Sequence, residues 1–403
     1  MADQFAVMAM DEEEDDFREV AHCGGKVTFG IDTDENGTRG YSVGYSVNSP
    51  KPMALFAVYA LPQGLPCGDI QLGGIGDRWN PPPYPDCIAV FIGSDSHGRF
   101  GHQCPECGGY WRSSGAPSRW KMSCPYCGVR GGTWQFLTPA QHRYVAHYAD
   151  TLMAALASDE KKFEVVIDMD AASDASQIAK PDFYYAGQTQ QTDFCCETCS
   201  AQNDIKGQYG YCSICGTRNN AHRLGEELAA LRARMNEDKV SPSDALKSAV
   251  SAYDSCCRNF VSELVEKVAL TEARKSRLST MLFHKLESVK EIESIFDIRL
   301  IKGIEADLDF MRMMFQRRHA FEHDGGQATE RYVKESGDTT VTLGALIREN
   351  RENVHRLIGL LNRMATNFAN GFHELFPPEE KPMAIKRECE ERKKRRRGNA
   401  SDI

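Results

Sequence analysis

The chain has 403 residues, 41% of them hydrophobic and 26% charged, an ordinary globular composition long enough for about two to four domains. No run reaches the roughly 18 apolar residues of a membrane-spanning helix, which argues against an integral membrane protein. The net charge of −9 is unevenly spread: residues 1–20 carry −7, residues 379–403 carry +3, and the remainder only −5. A broad basic surface for duplex DNA is therefore not indicated, and any nucleic acid has to be held at a local patch.

Residues 1–20 read as a disordered, solubilising acidic arm. Its acidic block stands where a secretory signal would be basic and then apolar, which argues against export and for a cytoplasmic protein. Residues 21–97 read as a β-rich module with strands over Lys26–Asp32, Tyr41–Val47, Ala54–Leu61 and Cys87–Ile92, broken by Gly, Pro and Asn. Asp32, Asp34, Asn36 and Gly37 match the first half of a calcium loop. The twelfth position, where a bidentate Glu is required, is Val43, so a hairpin turn is the expectation. Residues 98–134 form a first cysteine-rich segment. Residues 135–190 read as an α/β connecting region, with a helix over 139–157 and a strand over Phe163–Met169 ending at Asp168 and Asp170, a solvated strand end rather than a metal site. Residues 191–240 hold a second cysteine-rich segment and a linker helix over Ala221–Asn236.

From 241 to 378 Gly and Pro become scarce and helical periodicity takes over. Ser241-Pro242-Ser243-Asp244 is a helix start, and helices are expected over 242–268, 284–297, 303–322 and 343–374. The last carries an apolar seam of Leu346, Val354, Leu357, Leu361 and Met364. Residues 379–403 close the chain as a solvated basic tail.

Eight of the 15 cysteines fall into four C-x-x-C pairs: Cys104/Cys107 with Cys124/Cys127, and Cys196/Cys199 with Cys212/Cys215. Two such turns joined by a hairpin-length insert place four thiolates around one ion at about 2.3 Å, the pattern of a zinc ribbon. Protein fills every position, so two structural Zn²⁺ are expected and none for catalysis. A small residue after the second Cys lets backbone amides turn toward the thiolates. The first ribbon also carries Arg99, Arg112, Arg119, Lys121 and Arg130 against the single acid Glu106, together with Trp111, Trp120 and Trp134. Aromatics can stack on bases while Arg and Lys track phosphates, which makes Arg112, Arg119, Lys121, Trp111 and Trp120 candidate RNA contacts. The competing reading is that the aromatics are the ribbon's own small core.

Near the end of one expected helix stands Gln316-Arg317-Arg318-His319-Ala320-Phe321-Glu322-His323-Asp324-Gly325-Gly326. Its core face runs Ile304, Leu308, Met311, Phe315, and three residues on lies Arg318, a cation on an apolar seam that needs a partner or a role. Glu322, four residues after Arg318, offers a surface ion pair as one such partner.

The Arg318/His319/His323 spacing, the glycine loop, Glu330-Arg331-Tyr332 and the long final helix resemble the HEPN superfamily of helical bundles, over roughly residues 242–376. Together with the ribbons, the resemblance implies an α+β multidomain protein: an N-terminal β-rich module with two four-cysteine zinc ribbons and a C-terminal all-α HEPN-like helical bundle. It further implies metal-independent RNA cleavage. His323 would be base or acid, Arg318 would hold the phosphate, His319 would line the groove, and Arg317 would be a further RNA contact. The product would be a 2′,3′-cyclic phosphate and the working form a homodimer. A toxin or antiviral defence effector, gated by the front half and met by a neutralising or trigger partner, is the corresponding biological expectation. The rival from another class is a non-catalytic nucleic-acid-binding or scaffolding protein whose bundle only dimerises or holds a ligand.

Overall fold

The computed structural model describes residues 25–46, 54–71, 79–94, 98–114, 120–174 and 191–400. The acidic arm at 1–20 and Arg119 lie outside them. The chain divides into two compact units, one of residues 1–216 with 379–403 and the other of residues 217–378. The first is strand-rich and the second helical, so the chain as a whole is α+β.

In the first unit, β1 (Lys26–Thr33) pairs antiparallel with β2 (Arg39–Ser46) through the expected hairpin. Asp34 accepts hydrogen bonds from the backbone N–H of Asn36 and Thr38, and Gly37 takes φ 81°. The Asp34 carboxylate thus closes the turn on its own backbone. A second three-stranded sheet orders β4 (Pro66–Ile70), β3 (Leu55–Ala60) and β5 (Ile88–Gly93). The first cysteine-rich segment follows with β6 (Arg99–Gln103), β7 (Tyr110–Ser114), β8 (Met122–Ser123) and β9 (Arg130–Gly131). Helix α1 (Pro139–Ala157) starts at a capping box: Thr138 Oγ1 accepts from Gln141 N–H, and Gln141 Oε1 accepts from Thr138 N–H. The Gln141 side chain also donates to the Gly101 carbonyl, tying the helix start to β6.

The strand read as part of a connecting region, β10 (Lys162–Asp168), belongs to the N-terminal sheet. It pairs with β1 so that Val27 faces Ile167, Phe29 faces Val165 and Ile31 faces Phe163. Matching apolar faces set this register, because a one-residue slip would turn every one of them outward. Helix α1 lays Tyr144, Val145, Tyr148, Ala149 and Leu152 into a core shared with Val27, Phe29, Phe56, Val58, Val90 and Phe100. Phe29 and Tyr148 meet edge-to-face at 4.7 Å. A short helix α2 (Met169–Asp174) ends this module.

The turn between β3 and β4 presses on α1. Gly64 has φ 78°, and a Cβ there would lie 2.5 Å from the Cα of Ala146. Left-handed backbone and collision with a helix backbone act together, so Gly64→Ala is expected to cost about 2–5 kcal/mol. Gly37→Ala, at similar φ but with open space around it, should cost only about 1–2 kcal/mol. Urea denaturation of the two variants separates the terms, and equal losses would show that contact with α1 contributes nothing.

The second cysteine-rich segment gives β11 (Gln191–Cys195) and β12 (Gln202–Lys206). These join β7 and β6 in one four-stranded sheet, ordered β11-β12-β7-β6. The two ribbons are therefore one structural layer rather than separate modules.

The helical unit holds α3 (Asn220–Asn236), α4 (Pro242–Lys267), α5 (Glu272–Ser279), α6 (Leu286–Phe296), α7 (Leu308–His323), α8 (Glu330–Ser336) and α9 (Arg351–Leu375). Helix α3 is no linker. Its Leu224, Leu228, Leu231 and Met235 are buried, and it packs with α4 and α9. Ser241 caps α4 through the Asp244 N–H, as its sequence indicates. Helix α9 begins eight residues later than the periodicity suggests. Leu343 and Leu346 lie in an irregular segment, 60% and 67% exposed, and Asn350 caps the helix through Asn353 N–H. Leu346 thus leaves the predicted seam, while Val354, Leu357, Leu361 and Met364 are buried on it.

The C-terminal segment does not trail away as a bare tail. It forms α10 (Glu380–Ala400), with Met383 against the ribbon core, Glu379 N–H donating to the Cys215 carbonyl at 2.7 Å, and Lys386 donating to the Glu197 carbonyl.

Candidate functional site

Each cysteine knuckle is shaped by its backbone. Gly108 N–H bonds the Cys104 carbonyl, Gly128 N–H that of Cys124, Ser200 N–H that of Cys196 and Gly216 N–H that of Cys212. The residue after each second cysteine turns left-handed, with φ between 63° and 76°, and Gly occupies three of the four positions. The Sγ atoms of Cys104 and Cys127 lie 3.7 Å apart, as do those of Cys107 and Cys124. The corresponding distances for Cys196/Cys215 and Cys199/Cys212 are 3.6 Å. Four sulfurs at about 2.3 Å from one ion form a tetrahedron with edges of about 3.8 Å. Both tetrads have this size, with all four sulfurs of each within 4.8 Å of one another, and each can hold one metal ion. Tyr126 N–H points at Cys124 Sγ, and the Asn203 amide at Cys212 Sγ, two donors that offset thiolate charge.

One core unites the tetrads: Cys104, Cys124, Cys196, Cys212 and Cys215 share it with Trp111, Met122, Phe136, Phe194 and Ile205. Between them Asp204, 2% exposed, accepts from both Arg112 and Arg99. Asn203 Oδ1 accepts from the N–H and the hydroxyl of Ser213. These contacts bear on the reading of the first ribbon as an RNA platform. Trp111 is wholly buried against Phe136 and His102, so no base can stack on it. Arg112 is engaged by Asp204, with Nη2 at 2.5 Å. Trp120 is half-buried in the core with its indole N–H enclosed, and Lys121 is exposed.

The arginine–histidine stretch forms the last turns of α7. Asp324 N–H and Gly326 N–H both bond the Ala320 carbonyl, and Gly325 and Gly326 turn left-handed at φ 61° and 78°. Thr329 then caps α8 through Tyr332 N–H. Four residues apart on one face, the His319 and His323 rings lie 4.7 Å apart. His323 is exposed and His319 half-buried. Burial holds His319 below its ordinary pKa, helped by His323, Arg331 and Arg318 and opposed by Asp324. Arg318 is half-buried and makes no ion pair among the described residues, and its enclosed Nε has no hydrogen-bond partner there. Glu322 does not take it up. Glu322 is exposed.

Arg317, not Arg318, is the cation turned inward. It is 5% exposed and pairs with Asp338 at 2.8 Å and Glu349 at 3.2 Å, with further hydrogen bonds to the Tyr332 and Thr340 hydroxyls. Tyr332 donates to the same Asp338 oxygen at 2.5 Å. With its guanidinium committed to two carboxylates, Arg317 is corrected from an RNA contact to a structural cation. Sequence reasoning missed Asp338 and Glu349, which lie 21 and 32 residues away with no local signal. It also gave Arg331 no role of its own, although Arg331 stands next to Tyr332. Compared with protein-family models, with curated proteins and with solved structures, the chain has no match.

Proposed function

We propose that the helical unit is a metal-independent endoribonuclease of the kind its HEPN-like motif implies, working through Arg318 and His323 with His319 beside them. What supports this reading most is Arg318, a guanidinium without an ion-pair partner among the described residues, at an open helix end that also carries two histidines. In the reaction, the ribose 2′-hydroxyl attacks the adjacent phosphorus and the bond to the 5′-oxygen breaks. One proton leaves the 2′-oxygen and another reaches the 5′-oxygen, giving a 2′,3′-cyclic phosphate and a 5′-hydroxyl. His323 handles one of these protons, as an imidazole can near neutral pH. Arg318 binds the phosphate and stabilises the charge that builds on its oxygens. His319, held toward its neutral form by burial, lies beside His323 and hydrogen-bonds the same group.

On this proposal the two cysteine tetrads hold structural zinc, for which four thiolates at this spacing are suited. RNA and a second copy of the chain are the partners, and a defence or toxin role gated by the front unit is the corresponding biology. Single-stranded RNA incubated briefly with purified protein in EDTA should be cut to cyclic-phosphate ends. Arg318→Ala and His323→Ala should each lower the rate by about 10²–10⁴-fold. Arg312→Ala, an exposed arginine more than a turn away, should leave the rate unchanged. Cleavage that survives both substitutions would assign the activity elsewhere, and absence of any cleavage favours the scaffold.

A further inference from the structure

Two cysteines belong to neither tetrad and still lie together. Cys67 and Cys87 flank β3 with their Sγ atoms 3.4 Å apart, and both are half-buried. They have no third Cys, His, Asp or Glu around them to make a metal site among the described residues. Their nearness is unusual for the sheet. Strands on either side of a middle strand lie about 9.6 Å apart, too far for a disulfide. Two local features shorten the span. The register with β3 slips between Tyr59 and Ala60, so that Gly68 faces Tyr59 and Pro66 faces Ala60, leaving Cys67 as the extra residue of a bulge. Cys87 stands one residue before the first paired position of β5, Ile88, where the strand is no longer held to β3. The Cys67 thiol also donates to the Tyr59 carbonyl of β3 at 3.5 Å.

We infer that Cys67 and Cys87 form a redox-active dithiol, a modification site at which a two-electron oxidant makes a reversible disulfide. With hydrogen peroxide, the Cys87 thiolate attacks one peroxide oxygen. The O–O bond breaks, leaving Cys87 as a sulfenic acid and releasing hydroxide, which takes up the thiol proton as water. Cys67 sulfur then attacks Cys87 sulfur. The S–O bond breaks, and the hydroxyl leaves as a second water with the Cys67 proton. Two thiols and one peroxide become one disulfide and two waters. Burial, together with the hydrogen bond and charge of Cys87, pushes the Cys67 thiol up to about 12. Cys67 therefore keeps its proton and is the resolving partner. Closing the sulfurs to about 2.05 Å draws the bulge of β4 toward the start of β5.

The test uses the full-length, metal-loaded protein with one equivalent of hydrogen peroxide, followed by alkylation and non-reducing peptide mass spectrometry. The expected result is a peptide linked through Cys67 and Cys87 as the main oxidised species, with two thiols lost per chain and both restored by dithiothreitol. In Cys67→Ser, the linked peptide should vanish and Cys87 should be trapped by dimedone as the sulfenic acid. Alkylated Cys67 and Cys87 while the tetrad cysteines are oxidised, or linkage of either to another cysteine, would overturn the proposal.

Discussion

Cys212→Ser is expected to empty and unfold both cysteine tetrads, not only its own. Cys212 is fully buried, and its sulfur accepts from the Asn203 amide. Asn203 in turn holds Ser213 and pairs across the sheet with Ser113 of β7, between the two knuckles of the other tetrad. Ser123 N–H, beside Cys124, bonds the Ser213 carbonyl at 2.8 Å, and Tyr211 N–H bonds the Pro125 carbonyl at 2.9 Å. These routes out of one tetrad end at the other, inside one apolar core. Structural metal in such sites supplies folding free energy of roughly 10–16 kcal/mol, more than a domain's whole margin of stability. Metal content by mass spectrometry should fall from two ions per chain to none in the variant. Retention of one tightly held ion would show that the tetrads fold independently. Stripping the wild-type protein with a strong chelator should release the two ions in a single cooperative step.

Arg317→Ala is expected to destabilise the helical unit by about 3–5 kcal/mol, the cost of leaving buried carboxylates without their countercharge. The side chains of Asp338 and Glu349 are fully enclosed, and Arg317 supplies both ion pairs. Arg317→Lys should recover only part of the loss, because one ammonium cannot span both carboxylates as the guanidinium fork does. The pH dependence has a definite sign. Burial by itself would raise the Asp338 pKa, but hydrogen bonds from Thr340, Tyr332 and Arg317 outweigh it and hold the group well below the carboxylate range. A depressed acid stabilises the fold above its unfolded pKa of about 3.9, and that contribution fades as the pH falls through the lower folded value. In Arg317→Ala the same carboxylates favour protonation instead. The gap in urea midpoint between wild type and variant should therefore narrow from pH 7 to pH 5. A gap that stays constant would mean that the loss comes from volume rather than charge.

These two expectations rest on features with very different legibility. The tetrads could be read directly, because a C-x-x-C turn is a local object whose sulfur spacing depends on four consecutive residues. The helix start at Ser241 was equally local, a side chain bonding a backbone N–H three residues on. The choice between Arg317 and Arg318 was not. Projection along α7 began at Ile304, which precedes the helix proper and leads into a 3-10 turn over Glu305–Asp307. Within the helix the buried face runs through Met311, Met314, Phe315 and Arg317, one position aside from the projected stripe that ended on Arg318. Leu346 misled in a similar way, since an irregular segment before α9 happened to continue the helical period.

By itself, then, the order of residues determined the two metal-sized tetrads, the longer helices, five of the strands, and the presence of an arginine–histidine cluster at a helix end, because each depends on neighbours within a turn or two. Tertiary structure alone decided that β10 completes the sheet begun at β1, that both ribbons share one layer, and that Asp338 and Glu349 claim Arg317 while Arg318 makes no ion pair among the described residues. Those outcomes join residues tens to more than a hundred positions apart. Strand pairing and charge pairing at such range are settled by which apolar faces and countercharges meet in the folded core, and no local pattern records that choice.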